Sequence, residues 1–599
     1  MELLLNQRDL EFLLYEFLDT ESLLENERYR EHDRETLDAV IKAGKKLAED
    51  KFAPFASLLD ANEPVFEDGE VKVIPELEEA VRAYSEGGFT GIAAESRYGG
   101  MQYPWVVAQA ACAYIAAADV SANAYGFLTH AAINLMSKYA SEEQKKLYME
   151  PLVEGRFLGT MCLSEPQAGS SLSDIKVRAS RSDEGHYLMS GTKMWISAGE
   201  HQLSDNIVHL VLAKIPGAPP GVKGISLFIV PKFRLEADGT PGEKNNIQLA
   251  GLNHKMGFRG TVNTVLNFGE KGDCHGYLVG EENKGLFYMF HMMNEARVGI
   301  GMTATVLGYT GYLHSLQYAK DRPQGRHPGD KDPSSQQIPI IEHADIKRLL
   351  LAQKSAVEGS MALVLYCAWL LDKELVAESD EERLKINTLL EILTPIAKSW
   401  PSEFCLEANK HAIQVLGGYG YTRDFPIERF YRDNRLNPIH EGTHGIQGID
   451  LLGRKVSMLD GLAFKLLLAE FDKTIEEADT FGSLRPHVAV FQNTIRLIDD
   501  VTKKINEEKK NNGDTVALAN SGIYLDTLGH VVIGWIWLKQ ATTVFAHSSP
   551  RDKTTTKFYD GKLRACEYFY KYEMPKIDER CKLLLELDVT CLEADPESL

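Results

Sequence analysis

Residues 157 to 166 read FLGTMCLSEP and mark the point where helical spacing gives way to the alternation typical of strands. Before this stretch, apolar residues recur at helical spacing over 7 to 18, 33 to 50, 75 to 87 and 103 to 155. After it come the alternating runs HYLMSGTKMWIS, NIVHLVLAKI, GISLFIVPKF and NTVLNFGE, divided by turn-rich pieces such as PGAPPG. We therefore expect the first 155 residues to be all helical and residues 157 to 285 to form a compact β domain.

Helical spacing returns over 286 to 320, 341 to 373, 381 to 416 and 440 to 457, interrupted by the polar loop DRPQGRHPGDKDPSSQQ. Beyond residue 460, further helices are predicted over 459 to 478, 484 to 510, 515 to 547 and 555 to 587. The chain is thus predicted to be mainly α with a central β domain. Its five predicted segments are an N-terminal helical extension (1–35), an N-terminal helical domain (36–156), the middle β domain (157–285), a second helical domain (286–457) and an additional C-terminal helical domain (458–599).

Composition narrows the classes of partner. With 65 basic and 86 acidic residues the net charge is -21, so neither nucleic acid nor an anionic membrane is an expected partner. The eight cysteines lack the CxxC or histidine spacing of a zinc site, which predicts no metal and a reducing, cytoplasmic location. The N-terminus MELLLNQRDLEFLLYEFL carries charges and no basic n-region, unlike a signal peptide. The apolar run HVVIGWIWL is too short to span a bilayer, so no stable membrane insertion is expected.

Two stretches of the β domain carry residues suited to a large polar ligand. In MCLSEPQAGSSLSD, Ser164, Ser170 and the NH groups near Gly169 suit a polar or phosphorylated group, although a Ser/Gly turn after a strand explains them equally well. In KMWIS, Trp195 and Ser197 project to one face of a strand, where an indole can stack on a ring and a hydroxyl can bond its edge. Burial of Trp195 in the core is the competing explanation.

Two further stretches lie in the second helical domain. In IQVLGGYGYTRD, Gly417 and Gly418 allow the backbone to approach a bulky group, though a helix C-cap and turn account for them as well. Glu441, in NPIHEGTHGIQ, lies at the predicted start of a helix, where an acid favours the helix dipole. No GxGxxG links a strand to a helix, so a Rossmann mode of dinucleotide binding is not predicted. Taken alone, Glu441 is explained most simply as a helix-start residue.

Together with SRYGGMQYP, NEARVG, DRPQGR and RDNRLNPIHEGT, these four stretches resemble the acyl-CoA dehydrogenase family in wording, order and spacing. The resemblance covers about residues 40 to 457. The first thirty residues and the tail after 460 are similar to a bacterial branch of about the same chain length. The resemblance implies an N-terminal helical domain, a β-barrel-like middle domain and a C-terminal helical bundle, followed here by the extra helical domain.

The resemblance also implies FAD in the cleft between the β domain and the second helical domain, with an acyl-CoA thioester between flavin and base. The residues that would contact FAD are Met161, Leu163, Ser164, Ser170, Trp195, Ser197, Arg322, Gln324, Gln414, Gly417, Gly418, Thr443 and Gly445. The residues that would contact the substrate are Ser170, Asn294, Arg297 and Gly442. Five of these residues would reach the FAD of a neighbouring subunit: Arg322, Gln324, Gln414, Gly417 and Gly418. An oligomer is therefore expected. We expect a homodimer, because the C-terminal tail would cover the surface that tetrameric relatives use for their second dimer contact.

Glu441 falls at the family's catalytic base. By resemblance, its backbone NH polarises the thioester oxygen while its carboxylate takes the α proton and a hydride leaves the β carbon for the flavin. Burial is expected to raise the pKa of this carboxyl more than the helix dipole lowers it. His440 stands where many members have Tyr, which predicts a charge beside the base that responds to pH. Arg297 and Arg322 are expected to supply local positive charge.

Rival functions stay open at this stage. Electrons are expected to pass to an electron-transfer flavoprotein, and an acyl-CoA oxidase would differ by consuming oxygen. A non-catalytic acyl-CoA-binding protein on the same fold is disfavoured by Glu441, Trp195 and the glycine cluster. The expected substrate is a saturated fatty acyl-CoA, with 3-methylthiopropionyl-CoA as the alternative.

Overall fold

The computed structural model describes residues 3–547 and 552–599, and these residues form two compact units. The first unit is Tyr29–Ala296, and the second combines Leu3–Arg28 with Arg297–Leu599. Within the described residues the α-helices are α1 (Gln7–Glu11), α2 (Arg34–Leu47), α3 (Ala56–Ala61), α4 (Pro75–Glu86), α5 (Trp105–Ala118), α6 (Val120–Tyr139), α7 (Glu142–Gln144), α8 (Glu150–Val153), α9 (Gly285–Asp321), α10 (Ala344–Leu375), α11 (Asp380–Leu416), α12 (Ile427–Asn434), α13 (His444–Asp450), α14 (Met458–Asp479), α15 (Arg485–Asn512), α16 (Asp514–Ala517), α17 (Ser521–Ala546), α18 (Lys553–Tyr568), α19 (Lys576–Leu585) and α20 (Thr590–Glu593).

The strands of the described part of the chain all lie in the first unit. They are β1 (Val65–Glu67), β2 (Glu70–Lys72), β3 (Phe157–Cys162), β4 (Arg178–Arg181), β5 (Tyr187–Ser197), β6 (Asn206–Lys214), β7 (Ile225–Pro231), β8 (Phe233–Leu235), β9 (Pro241–Lys244), β10 (Ile247–Leu252), β11 (Asn263–Phe268) and β12 (His275–Leu278). The main sheet runs β10-β11-β5-β12-β7-β6-β3, with β4 pairing β5 and β6. β3 pairs parallel with β6, whereas β6, β7, β12, β5, β11 and β10 follow one another antiparallel.

The two most deeply buried strands of this sheet, β6 and β7, are neighbours in it. β7 is buried at every position and β6 at all but its last, as expected for strands covered on both faces. One core cluster joins Phe157 and Leu210 of the sheet to Ile133 of α6. Thr129 of α6 also accepts a hydrogen bond from the Gly159 N–H at 3.1 Å, so the helix is fixed against β3. The stretch FLGTMCLSEP therefore begins with a buried strand anchored to the preceding helical domain.

The prediction that the first 155 residues are all helical was wrong at one place. β1 and β2 form an antiparallel hairpin in which Val65 opposes Lys72. Its turn is Asp68-Gly69, both with positive φ, the two-residue turn that matches the twist of paired strands. The sequence VFEDGEVK contains the Asp-Gly pair typical of such a turn. The hairpin was not predicted because the residues on both sides of it have helical spacing.

Helix α17 lies at the centre of the C-terminal part of the second unit. It is apolar on all sides, and Trp535 and Trp537 are fully buried. The Trp537 indole donates to the Ser355 carbonyl of α10 at 3.0 Å, and the Trp535 indole donates to Thr474 of α14 at 2.8 Å. The residues beyond 458 therefore pack on the helices that precede them in the same chain. α10 has the length and hydropathy of a membrane span, but 83% of its apolar window is buried inside the protein, as in a core helix.

Several predicted helices begin or end elsewhere. The helix expected over 440 to 457 begins only at His444, because Thr443 caps it and the residues before it form a turn. The helix expected over 555 to 587 is divided into α18, a π-helical turn and α19, which follows Pro575. α14 starts with left-handed residues at Leu459, Asp460 and Gly461, which kink the chain at the predicted start of the C-terminal domain.

Candidate active site

In the first unit the motifs MCLSEP and KMWIS lie side by side. β3 leads into Ser164, whose carbonyl accepts a hydrogen bond from the Met194 N–H at 3.0 Å. Met161 and Leu163 are half-buried and pack against the apolar core beneath them. Ser170 is exposed in the following turn, and Asn294 is buried elsewhere in the same unit. The structure thus brings Ser164 next to the strand that carries Trp195.

Trp195 is held out of the core by an unusual backbone. It has φ +65°, and the pairing of β5 with β11 shifts register between Thr264 and Leu266. The indole is 57% exposed, whereas the next residue, Ile196, is buried. Because the indole is exposed, burial in the core does not explain Trp195. Its left-handed backbone is rare for a bulky side chain and costs energy. Ser197 is half-buried, and its hydroxyl accepts a hydrogen bond from the Asn263 amide at 3.2 Å. Since the residue between them, Ile196, is buried, Ser197 and the exposed Trp195 lie on the same face of β5.

A buried ion pair that was not predicted from the sequence holds these two stretches together. The Lys193 ammonium donates to the Leu163 carbonyl at 2.8 Å and to the Glu165 carboxylate at 2.9 Å. Glu165 also accepts the Lys176 and Val177 N–H groups. Burial raises the pKa of Glu165, but Lys193 and these N–H groups outweigh it and leave the pKa below its ordinary value. Burial lowers the pKa of Lys193 despite Glu165.

In the second unit Glu441 lies in a turn before α13, and not in its first helical turn as predicted. Glu441 has φ +51° and Gly442 has φ +85°. Thr443 is the N-cap residue and accepts from the Ile446 N–H at 3.4 Å. Glu441 is half-buried, and among the described residues of its unit its carboxylate accepts no hydrogen bond. The carboxylate is therefore free to act on another molecule.

Two polar side chains hold this turn from below. The Lys398 ammonium, on α11, donates to the carbonyl oxygens of Asn437 at 2.7 Å and Gly442 at 2.8 Å. The Gln447 amide donates to the Glu441 carbonyl at 3.0 Å. Neither Lys398 nor Gln447 was predicted from the sequence as a site residue. The signal for Lys398 was a single charge inside the apolar run EILTPIAKSWP.

The charges around Glu441 act against each other. Burial raises the pKa of the Glu441 carboxyl above its ordinary value, while Lys398 and Arg297 lower it. The rise is the direction expected from the sequence. Burial lowers the pKa of Lys398 to about 7, partly against the attraction of Glu441. The two groups therefore form an acid-base pair with opposed shifts.

The expectation that the charge of His440 responds to pH was wrong. Burial, with a smaller contribution from Lys398, lowers the pKa of His440 to about 3. Its Nε2 lies 3.1 Å from the Asn437 side-chain oxygen. His440 is consequently neutral at physiological pH and places an uncharged polar side chain next to Glu441 in the chain.

Arg297 is not the free positive charge that the sequence suggested. Its guanidinium is almost completely buried and donates to Asp450 at 2.7 Å. Asp450 also accepts from Arg454 at 2.8 Å. Asp450 is thus engaged and does not offer a second base. Contact of Arg297 with the substrate stays a prediction.

Of the remaining predicted residues of the second unit, Arg322 contacts the turn at the end of α11, and the others lie on exposed backbone there, after α9 or on α13. Arg322 stacks over the Tyr419 ring with its guanidinium carbon 5.8 Å from the centroid. Tyr419 belongs to the 3-10 turn Gly417–Tyr421, which begins three residues after the exposed Gln414. A side chain at Gly417, Gly418 or Gly445 would find no other atom within 4 Å of its Cβ position, so the space beside each glycine is open. Gln324 is exposed and its carbonyl accepts from His343 at 2.8 Å.

The comparisons agree with this architecture. Family models match in chain order: the acyl-CoA dehydrogenase N-terminal domain at 34–156, its middle domain at 160–270, its C-terminal domain at 283–456, and the acetyl-CoA dehydrogenase C-terminal-like model at 467–595. The chain is 39% identical to the 3-methylmercaptopropionyl-CoA dehydrogenase of Ruegeria pomeroyi over 72% of each chain. It is 31% identical to the broad-specificity linear acyl-CoA dehydrogenase FadE5 of Mycobacterium tuberculosis over 98% of each.

A solved structure shares the fold over nearly the whole length. The Bacillus anthracis acyl-CoA dehydrogenase complexed with FAD superposes with a TM-score of 0.74 at 20% identity, covering 95% of this chain and 90% of that one. The predicted fold class, mainly α with a central β domain and an added C-terminal helical region, is confirmed. This chain belongs to the acyl-CoA dehydrogenase family and is an oxidoreductase acting on acyl-CoA.

Proposed function

We propose that this enzyme dehydrogenates saturated fatty acyl-CoA thioesters at the α,β position, giving trans-2-enoyl-CoA, with Glu441 as the base. The observation that carries the proposal is the Glu441 turn. It combines a carboxylate that accepts no hydrogen bond within its described unit, a left-handed backbone at φ +51° and a raised pKa. Such a half-buried carboxylate is poorly explained as a helix cap, since Thr443 already caps α13.

The chain's own residues account for the proton transfer. The Glu441 carboxylate takes the α proton of the thioester, which is a weak acid and needs a base of raised pKa close to it. The Glu441 N–H polarises the thioester oxygen, which favours the enolate that develops as the proton leaves. Lys398 and Arg297 lower the pKa of this carboxyl and thereby offset part of the rise that burial causes.

The cofactor is FAD, which when bound supplies the two-electron acceptor for the hydride of the β carbon. The residues present fit it. Trp195 offers an exposed indole for stacking on the strand that also carries Ser197, and Gly417 and Gly418 leave open space for a bulky group. Hydroxyl groups such as those of Ser164 and Ser197 can hydrogen-bond the polar edge of an isoalloxazine. Residue-by-residue contacts to FAD are part of the proposal.

The substrate class rests on the relatives. FadE5 acts on linear acyl-CoA and matches 98% of this chain, which favours a saturated fatty acyl-CoA. The higher identity to the Ruegeria pomeroyi enzyme, 39%, makes 3-methylmercaptopropionyl-CoA the second candidate. Turnover of a panel with an artificial acceptor separates them: kcat/KM at least about tenfold higher for butyryl-CoA or octanoyl-CoA than for the thioether supports the first.

The remaining partners are also proposed. We infer that electrons leave to an electron-transfer flavoprotein; oxygen uptake that matches substrate consumption would instead identify an oxidase. A homodimer is proposed because the tail beyond residue 458 packs on its own chain through α17. Light scattering that gives a tetramer would contradict it. The location proposed is the cytoplasm, in line with eight cysteines that all stay free thiols.

The decisive test is Glu441→Gln, which keeps the size of the side chain and the backbone N–H but removes the base. FAD content and acyl-CoA binding should survive. Anaerobic bleaching of the flavin by a good acyl-CoA should slow by at least about 10² to 10⁴-fold, the usual contribution of a positioned general base. Glu407→Gln, which changes an exposed carboxylate on α11 paired with Lys410, serves as the control and should react at the wild-type rate. Bleaching of the Glu441→Gln enzyme at nearly that rate would refute the proposal.

A further inference from the structure

Lys398 is a fully buried lysine in the middle of a long helix. It lies on α11 between the intrahelical prolines Pro395 and Pro401, with Ala397 and Ser399 also fully buried. Burying an ammonium group is costly unless its donors are satisfied. Among the described residues no carboxylate lies within ion-pair distance of its Nζ, and both of its hydrogen bonds go to backbone carbonyls. The residue therefore does not serve an ordinary salt bridge.

The two acceptors bracket the base. Asn437 precedes Glu441 by four residues and Gly442 follows it, and Lys398 binds the carbonyl oxygens of both, at 2.7 and 2.8 Å. One side-chain nitrogen thereby closes the turn from 437 to 442, in which Glu441 and Gly442 are both left-handed. A neutral amine retains two N–H groups, which is the number these acceptors need. The turn is consequently held whether Lys398 is charged or neutral.

Few charged groups face Lys398. From α9 comes Arg297, from the turn come Glu441 and the neutral His440, and from α11 itself comes Glu403. His444 of α13 stands near Glu403, with 3.9 Å between Nδ1 and the carboxylate. Of these groups, Glu441 has the largest electrostatic effect on Lys398, and Lys398 has the largest on Glu441.

We propose that Lys398 is a positioning residue of the catalytic turn: by binding the Asn437 and Gly442 carbonyls it fixes the backbone of Glu441, and it brings a cationic side chain to the turn that carries this base. This inference rests on the proposed function, since it presumes that Glu441 is the base. It assigns Lys398 no contact with the reacting atoms.

The test is Lys398→Met, which removes the donors and the charge at nearly the same side-chain length. Flavin reduction by a good acyl-CoA should slow by about 10²-fold, because a small misplacement of a catalytic group has that effect. In a plot of the rate of flavin reduction against pH, the acidic limb, where the rate falls as the base is protonated, should also move to higher pH by about 1 pH unit. The reason is that Glu441 loses a cation that lowered its pKa. Affinity for an acyl-CoA that cannot be dehydrogenated should change by less than about threefold, since Lys398 does not touch the ligand.

A matched control is Lys455→Met. Lys455 is also buried, its pKa is also lowered to about 7, and it pairs with Glu391 instead of the turn. Loss of Lys455 should leave the acidic limb in place. If the Lys398→Met enzyme does not retain FAD, Lys398→Gln takes its place: it keeps N–H donors without charge, so the limb must still move to higher pH. Lys398→Arg, which keeps donors and charge, should leave the limb unmoved.

The outcomes separate the two proposals. An acidic limb that stays at the wild-type pH in a folded, FAD-loaded Lys398→Met or Lys398→Gln enzyme overturns the role of Lys398. A limb that moves in Lys398→Arg does the same, because charge is retained there. If Glu441→Gln reacts at the wild-type rate, the proposed function itself fails; if Glu441→Gln is slow while Lys398→Met is unaffected, only the Lys398 inference fails.

Discussion

Lys193 is a fully buried residue of β5, the strand that also carries Trp195, and the nearly as buried Glu165 carboxylate balances its charge. Its ammonium reaches across to the Leu163 carbonyl, so a single side chain connects the two stretches assigned to the cofactor. A similar contact occurs in the second unit, where the buried Lys398 donates a hydrogen bond to the Gly442 carbonyl in the turn of Glu441. In both places a buried lysine that binds backbone carbonyls fixes a stretch that carries a predicted site residue.

Lys193→Met should leave Glu165 as an unpaired buried carboxylate. Removal of one partner of a buried pair destabilises a protein by about 3 to 5 kcal/mol, so the urea midpoint should fall and FAD should be lost more easily. The double variant Glu165→Gln, Lys193→Met carries no charge, and its amide oxygen still accepts one of the two N–H groups, of Lys176 and Val177, that bind separate oxygens of Glu165. It should recover part of the lost stability. A single variant as stable as wild type would show that the pair is dispensable.

Helix α1 is integrated into the second unit through a buried polar cluster. Asp9 is nearly fully buried; it forms an ion pair with Lys562 of α18, which lies 3.0 Å from Glu358 of α10. Tyr309 of α9 donates to Asp9 at 2.8 Å. Burial raises the pKa of Asp9 in spite of Lys562. A short N-terminal helix is thus tied to three helices that are distant in sequence.

Asp9→Ala should destabilise the second unit by about 3 kcal/mol, because Lys562 and Tyr309 both lose a buried acceptor. Urea unfolding followed by circular dichroism measures the change. The comparison is Asp479→Ala, which removes an exposed partner of Arg485 and should cost no more than about 1 kcal/mol. Equal, small effects of both substitutions would mean that the cluster contributes nothing beyond a surface pair.

Across the whole molecule, buried neutral histidines couple stability to pH. Burial lowers the pKa of His201 and His209 from 6.5 to about 3. Below pH 6.5 the unfolded chain therefore binds protons that the folded chain does not, and stability falls as pH falls. Each histidine should remove about 2 kcal/mol between about pH 7 and about pH 5.

Unfolding of the FAD-saturated enzyme at about pH 7 and about pH 5 tests this dependence. His209→Gln should reduce the loss of stability between the two pH values, whatever its effect at the higher one. His327→Gln, which changes an exposed histidine, should leave the loss as it is in the wild type. A loss that is the same in all three proteins would contradict the assignment.

The order of helical and β segments could be predicted because periodicity is local. Alternating apolar runs became β6 and β7, and helical spacing became α9 to α11, with ends displaced by a few residues. The hairpin β1–β2 was missed although its Asp-Gly turn was present in the sequence. Glu441, Trp195 and the glycine cluster were found because their motifs are short and their residue types are demanding.

What the sequence alone determined is the fold class, the family and the identity of the candidate base, since each is written in contiguous residues. Tertiary structure decided how these residues are presented: the left-handed backbone of Trp195 and Glu441, and the buried cations that hold both. It also decided the charge states, making His440 neutral and pairing Arg297 with Asp450. These properties depend on burial and on partners brought from far along the chain, and neither burial nor partner is encoded in a local motif.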